Sequence, residues 1–140
     1  MAKIKLEIVT AERRVYSEDV DGVIAPGIGG ELGILPNHAP LMSILAPGVL
    51  TIKQDGVDVD MAIAGGYIEV RPDYIIVLAD AAERADEIDI DRAEEARKRA
   101  EEAKVKGDGV SAEASLAAEA ALKRALTRLK VARRRERPPV

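Results

Sequence analysis

Residues 50–63 read LTIKQDGVDVDMAI, and this stretch decides the fold of the first half of the chain. Apolar and polar residues alternate on both sides of Gln54-Asp55-Gly56, which is the period-two pattern of strands with one buried face. Asp-Gly tolerates the positive φ angles of a tight turn. The stretch therefore predicts a β-hairpin whose apolar side chains point to one side.

The same alternation recurs through the first eighty residues, and turn residues such as Pro26-Gly27, Gly65-Gly66 and Pro72-Asp73 separate the apolar runs. Strands are predicted at 4–8, 20–25, 50–53, 57–63, 67–71 and 74–78. Short strands at this spacing are typical of a small sandwich. We expect an antiparallel β-sandwich or flattened barrel of about ten strands.

The remainder of the chain has a different composition. Nine of the eleven glycines lie before Asp80, and the net charge changes there: six Lys and Arg against twelve Asp and Glu in residues 1–80 give −6, whereas fifteen against thirteen in 81–140 give +2. The fold class is therefore α+β, with a β-sandwich domain at 1–84 and a helical hairpin at 85–140. We expect a hinge near Asp80.

The hairpin is predicted from helix formers that run from Asp89 to Lys104 without glycine or proline. Residues 106–109 break this helix, and Ser111 is suited to cap a second one. An alanine stripe at Ala93, Ala96, Ala100 and Ala103 would face a leucine stripe at Leu122, Leu126 and Leu129. Because alanines bury little area, we expect a marginal antiparallel hairpin that can leave the sandwich.

The chain contains few of the residues and motifs that catalysis requires, and we predict no catalytic residue and no metal site. The chain has no cysteine and a single histidine, His38, and neither a P-loop nor a G-x-S-x-G motif is present. The glycine-rich run at 27–36 precedes no predicted helix, so we interpret it as a turn rather than a phosphate cradle. No apolar stretch is long enough for a signal peptide or a spanning helix, which favours a soluble chain.

Residues 30–41, GELGILPNHAPL, resemble the signature loop of the epsilon subunit of bacterial F-type ATP synthases. Residues 65–70 (GGYIEV), residues 77–80 (VLAD) and the closing helical hairpin also resemble this family, in the family's order. The resemblance covers essentially the whole chain. It implies a non-catalytic rotor part of the central stalk, which couples proton flow to ATP synthesis.

The resemblance also implies the partners and the location. The sandwich would bind the gamma subunit near His38 and rest through Glu31 on the c-ring, at the cytoplasmic face of the bacterial cell membrane. Contact with the membrane would run only through these partners. The hairpin would either fold on the sandwich or extend into the head of alpha and beta subunits and inhibit ATP hydrolysis. In the extended state Arg133, Arg134 and Arg135 would contact an acidic surface of the beta subunits.

A regulatory ATP site is a further implication, because residues 88–93 (IDIDRA) match the I/L-D-x-x-R-A pattern of family members that bind ATP. Residues 122–129 resemble the second element of that site. Arginines seven or four apart share one side of a helix, and guanidinium groups suit a polyphosphate. Glu83 and Asp89 would accept hydrogen bonds from the adenosine. The predicted site consists of Glu83, Ile88, Asp89, Arg92, Ala93, Arg99, Arg124 and Arg128. ATP could bind with magnesium, and no cofactor is required.

Two alternatives stay open. The arginines could pair locally, as Glu95 and Arg99 would in the favoured i,i+4 order. The basic end of the chain, with eight Lys and Arg and one Glu between Lys123 and Arg137, could instead bind nucleic acid or an acidic protein. The absence of nearby aromatic residues and the isoelectric point near 5.2 disfavour nucleic acid.

Overall fold

The computed structural model describes residues 2–105 and 111–134, which form a ten-stranded sheet and two helices. The strands are β1 Ile4–Val9, β2 Arg14–Val20, β3 Gly22–Gly27, β4 Gly30–Ile34, β5 Leu41–Leu45, β6 Gly48–Gln54, β7 Val57–Ile63, β8 Gly66–Val70, β9 Tyr74–Ala79 and β10 Ala82–Arg84. A 3-10 turn, Ala85–Glu87, leads to α1, Ile90–Val105, and then to α2, Ala112–Arg134. The predicted sandwich of about ten strands followed by two helices is confirmed.

The sheet runs in the order β10-β7-β6-β3-β5-β8-β9-β1-β2, and β4 pairs with β3. All of these strand pairs are antiparallel except β1 with β9, which is parallel. The long stretch of chain between β1 and β9 permits a parallel pair, because only strands joined by a tight hairpin must be antiparallel. The two halves of the sheet enclose one core, to which nearly every strand contributes fully buried aliphatic side chains such as Leu6, Leu50, Ile68 and Val77.

The hairpin predicted from residues 50–63 is confirmed as β6 and β7. Gln54 pairs with Val57, and the two residues between them, Asp55 and Gly56, have φ angles of 52° and 80°. Positive φ at both central positions defines the hairpin turn that follows the natural twist of strands. Four inward side chains are fully buried, and Val59 is half-buried against the same core: Leu50, Ile52, Met61 and Ile63 are the four.

The strand predicted at 20–25 is confirmed over residues 22–25, which belong to β3, but its start is wrong, because Val20 ends β2 and the chain turns a corner at Asp21. Val20 and Val23, on either side of the corner, are both buried in the same core. The corner is held by polar contacts: Asp21 accepts a hydrogen bond from the backbone N–H of Asp55 at 2.7 Å, and its carboxylate lies 2.9 Å from Lys3 Nζ.

The two helices pack through alanines, as expected, but the inward side of α2 differs from the predicted one at one position. Ala93 and Ala100 of α1 are buried and Ala96 is half-buried, but the predicted alanine stripe is wrong at Ala103, which is exposed. Ser111 caps α2 by accepting the N–H of Ala114 at 3.1 Å. The predicted leucine stripe is wrong at Leu126, which is 47% exposed, because Ala125 takes the inward position instead. A methyl group at the contact lets two helices approach closely, and Leu129 remains the one fully inward leucine of that stripe.

Helix α2 packs on β7 and β6 through a small second core. Val131 and Ala132 near the end of α2 are fully buried against Ala62 of β7 and Ile88 of the linker. The partly buried Val49, Ala85 and Ile90 pack against the same small cluster. The apolar contribution to this attachment is therefore small compared with that of the main core.

Candidate functional site

A cavity of about 280 Å³ lies between the sandwich and the helical hairpin. Its walls are mostly alanine methyl groups from β7, the segment before β10, and both helices. Four polar side chains line it: Glu83, Arg124, Thr127 and Arg128. Three of the residues predicted to bind nucleotide therefore meet at one cavity, although they come from a strand and a helix that are far apart in the chain.

Glu83 and Arg128 form an ion pair across this cavity. Arg128 Nε lies 2.7 Å from Glu83 Oε1, and Nη2 donates a hydrogen bond of 3.1 Å to Oε2. Both side chains are largely covered, with exposed fractions of 31% for Glu83 and 28% for Arg128. The pair joins β10 to α2, so it holds the hairpin against the sheet.

Most of the I-D-x-x-R-A residues have structural roles at the start of α1. Ile88 is buried in the second core, and Ala93 is fully buried. Asp89 is the N-cap: Oδ1 accepts the N–H of Arg92 at 3.2 Å, and its carbonyl oxygen accepts the N–H of Ala93 at 3.0 Å. The pattern thus begins a helix and fixes it to the sandwich, while a hydrogen bond from Asp89 to adenosine stays a prediction.

The remaining predicted arginines lie on the surface. Arg92, Arg99 and Arg124 are exposed, and none of them makes an ion pair within the described part of the chain. Arg92 and Arg99 do not line the cavity. The local pair expected between Glu95 and Arg99 is also absent among the described residues, where Arg97 pairs instead with Glu94 and Glu101, each at 2.9 Å.

The basic end of α2 is partly neutralised by α1. Arg133 Nη2 lies 3.2 Å from Glu94 Oε1, while Arg134 ends α2 and Arg135 lies outside the described residues. Hydrogen bonding from Arg97, with a further contribution from the Arg133 charge, lowers the pKa of the Glu94 carboxyl below its ordinary value. Glu94 is therefore ionised at neutral pH and holds Arg133 in this arrangement.

The linker before α1 is fixed to the sandwich as far as Glu87. Arg84 donates a hydrogen bond of 2.8 Å to the carbonyl of Val15, and its guanidinium lies 5.6 Å from the ring centre of Tyr16. Arg13 Nη2 lies 2.7 Å from Glu87 Oε2. Burial alone would raise the pKa of Glu87, but hydrogen bonds from Arg13 and from the backbone of Arg84 outweigh it, and the pKa is lowered.

These contacts bear on the hinge expected near Asp80. That residue precedes β10, which pairs with β7 through Ala82, Glu83 and Arg84. A hinge at Asp80 would detach a strand of the sheet, whereas a hinge after Glu87 leaves every strand in place. If the hairpin leaves the sandwich, these contacts favour Ile88 and Asp89 over Asp80 as the point where the chain bends.

A second surface was not predicted from the sequence. Five large apolar side chains lie exposed side by side on the outer face of β5, β8 and β9 and on the adjacent β3–β4 turn, and we call them the apolar face: Ile28, Met42, Ile44, Tyr67 and Leu78. Ile44 is opposite Tyr67, which is opposite Leu78, and Ile28 donates its N–H to the carbonyl of Ile44 at 3.0 Å. The available signal was β9, YIIVLA, in which no polar residue alternates with the apolar ones.

The two predicted partner contacts lie in different places. Glu31 is exposed on β4, opposite Pro26 in the β3–β4 hairpin. His38 is half-buried in the loop before β5, where Nδ1 lies 2.7 Å from the carbonyl oxygen of Ala39. Because a carbonyl only accepts, Nδ1 carries the proton.

Within residues 2–105 and 111–134, no group of three or more acidic or histidine side chains could hold a metal ion. Neither described helix combines the length and apolar character needed to cross a membrane.

Comparison with known proteins identifies the chain. Residues 3–85 match the family model for the ATP synthase delta/epsilon chain β-sandwich domain, and residues 86–133 match the model for its long α-helix domain. The chain is 55% identical over 139 residues to the ATP synthase epsilon chain of Dehalococcoides mccartyi, covering 99% of both. It is 54% identical over 132 residues to that of Herpetosiphon aurantiacus, covering 94% of this chain and 96% of the relative.

Two solved assemblies contain a similar fold. A chain of the Euglena gracilis mitochondrial ATP synthase, in a structure of OSCP, F1 and c-ring, is 25% identical with a TM-score of 0.78, over 94% of this chain and 82% of the other. A chain of the Tetrahymena thermophila mitochondrial central stalk and c-ring has a TM-score of 0.52 at 16% identity, over 97% and 98%. The chain therefore belongs to the epsilon chains of bacterial F-type ATP synthase, which are non-catalytic subunits of that complex.

Proposed function

We propose that the chain is a rotor subunit of the central stalk, in which the sandwich binds the gamma subunit and rests on the c-ring, so that proton flow is coupled to ATP synthesis. Membership of the epsilon chains supports this, as does the similar chain in the Euglena assembly of F1 and c-ring. The subunit would lie at the cytoplasmic face of the cell membrane and contact it only through its partners.

The apolar face is the observation that carries the proposed contact with gamma. Its five side chains are each about half exposed or more, and they are contiguous across three strands. Contiguous apolar surface of this kind marks interaction sites in soluble proteins. The His38 loop leads directly into β5, so the predicted gamma contact at His38 continues onto this face. Glu31 lies on the β3–β4 hairpin, and we assign it to the c-ring.

Tyr67→Asp is expected to weaken binding to a complex of alpha, beta and gamma by about thirtyfold or more, because it places a charge at the centre of an apolar contact. Binding is measured by titrating the purified variant into the complex that lacks this subunit. Val57→Asp is the matched control, since Val57 is 60% exposed but lies at the β6–β7 turn, outside the apolar face. Equal affinities for the two variants would contradict this placement.

The helical hairpin is proposed to inhibit ATP hydrolysis by leaving the sandwich and extending into the head. Its small apolar attachment supports a reversible release. In the folded arrangement Arg133 of α2 is paired with Glu94 of α1, and separation of the two helices as the hairpin extends would free Arg133 for an acidic surface on the beta subunits, which Arg134 and Arg135 are also predicted to contact.

The cavity between the sandwich and the hairpin is proposed to bind ATP as a regulatory ligand. Glu83, Arg124 and Arg128 line it, and Arg92, which is exposed on α1 outside the cavity lining, would reach the phosphates only if α1 is rearranged. Magnesium could accompany the phosphates. A ligand that contacts both the sandwich and α2 stabilises the folded hairpin by mass action, so ATP would oppose inhibition.

Calorimetry of the isolated subunit tests ATP binding. We expect measurable heat with ATP at or below millimolar concentration, and Arg92→Ala should weaken binding by about tenfold or more because it removes a charge-assisted hydrogen bond. Lys98→Ala is the control, since Lys98 is an exposed cation on the same helix outside the predicted site. If wild-type protein gives no heat at millimolar ATP, the proposed nucleotide site is wrong.

A further inference from the structure

The attachment of the hairpin to the sandwich includes a polar contact. The ion pair between Glu83 and Arg128 joins a strand of the sheet to a helix of the hairpin. The pair of Arg133 with Glu94 lies between the two helices, and that of Arg13 with Glu87 ends on the linker. Loss of the Glu83 charge would therefore remove this link between sandwich and hairpin while leaving those other two pairs intact.

The same two side chains line the cavity, which sets up a competition. Arg128 is the guanidinium closest to Glu83, and its charge is already neutralised. A polyphosphate entering the cavity would need Arg128 as a donor and would be repelled by the Glu83 carboxylate, most strongly in a partly covered site where charges are poorly screened. Phosphate groups would therefore compete with Glu83 for the Nε and Nη2 side of Arg128.

We propose that Glu83 and Arg128 form a clasp that holds α2 on the sandwich while the cavity is empty, and that an oligophosphate ligand opens the clasp by drawing Arg128 from Glu83 to itself. The holding role stands on the observed contact alone. The exchange rests on the proposed nucleotide site. After this exchange the ligand, rather than the ion pair, links the sandwich to α2. The hairpin therefore stays folded both when the cavity is empty and when it is filled.

The holding role is tested on the full chain without nucleotide by hydrogen exchange of the α2 backbone amides near Arg128. Glu83→Gln keeps the size of the side chain and removes its charge, and we expect exchange in α2 to become about tenfold faster. Glu69→Gln is the matched control: Glu69 is 33% exposed and paired with Arg71 at 3.1 Å, but this pair lies within the sheet. Amides of β6 and β7 should exchange at wild-type rates in both variants.

Swapping the two charges distinguishes loss of the ion pair from other effects of substituting Glu83. Glu83→Arg and Arg128→Glu should each loosen α2, and the two together should restore its protection because the ion pair is remade with opposite polarity. Unchanged α2 exchange in Glu83→Gln, or no recovery in the double variant, would overturn the clasp.

The exchange is tested with inorganic tripolyphosphate, which has no base for Glu83 to contact. We expect Glu83→Gln to bind tripolyphosphate about fivefold more tightly than wild type, since the competing carboxylate is gone. A residue that only recognises adenosine would leave this affinity unchanged, and that result would overturn the exchange. If neither ATP nor tripolyphosphate binds wild type, the nucleotide site itself fails, while the hydrogen-exchange result still decides whether the clasp exists.

Discussion

Truncation of the chain after Glu87 is expected to raise ATP hydrolysis by the assembled complex several-fold and to leave assembly intact. The hairpin carries the proposed inhibitory contacts, including the basic end at Arg133, so its removal should abolish inhibition. The apolar face and Glu31 remain, so the shortened chain should still bind gamma and the c-ring. The measurement is steady-state hydrolysis by complexes reconstituted with full-length or truncated subunit, with the bound subunit quantified.

The position of the cut matters for this test. Truncation after Asp80, where the composition changes, would also remove β10 and uncover its neighbours on β7, including the buried Met61. Truncation after Glu87 keeps β10 and the contacts of Arg84 and Arg13. Raised hydrolysis from the longer fragment would then report loss of the hairpin rather than damage to the sandwich. Unchanged hydrolysis with full occupancy would refute inhibition.

Local pattern predicted those parts of the fold whose determinants are close in sequence. The Asp55-Gly56 turn, the inward alternation of β1 and the Ser111 cap each depend on a few neighbouring residues, and each is confirmed. The corner at Asp21 was missed because both of its arms bury apolar residues in one core. The parallel pairing of β1 with β9 depends on how distant strands meet, which periodicity does not encode.

In the candidate site, too, local pattern predicted features within one helix but not contacts between distant elements. Spacing on one helix predicted that Arg92 and Arg99 share a side, and both are exposed, yet spacing could not say that neither of them lines the cavity. The buried side of α2 includes Ala125 and Leu129 rather than Leu126. The pairing of Glu83 with Arg128 spans 45 residues and arises only when α2 lies on the sheet. Such contacts between distant elements require the tertiary structure.

Gly66→Ala is expected to destabilise the protein by about 3 kcal/mol or more, which for a chain of this size lowers the melting temperature by roughly 10 °C. Gly66 begins β8 with φ of 139°, a conformation that residues with a side chain rarely adopt. A Cβ there would collide with the carbonyl oxygen of Leu78 and lie 2.9 Å from Cα of Ala79. Both neighbours are backbone atoms of β9, so no side-chain rotation relieves the clash.

The control for this prediction is Gly33→Ala. Gly33 lies in β4, where an added Cβ meets nothing within 4 Å, and we expect a change within about 0.5 kcal/mol. Urea and thermal denaturation followed by circular dichroism measure both variants. A loss below about 1 kcal/mol for Gly66→Ala would mean that β8 and β9 can separate locally. In that case Tyr67, the next residue on β8, should shift too, and binding to gamma through the apolar face should weaken although stability is nearly unchanged.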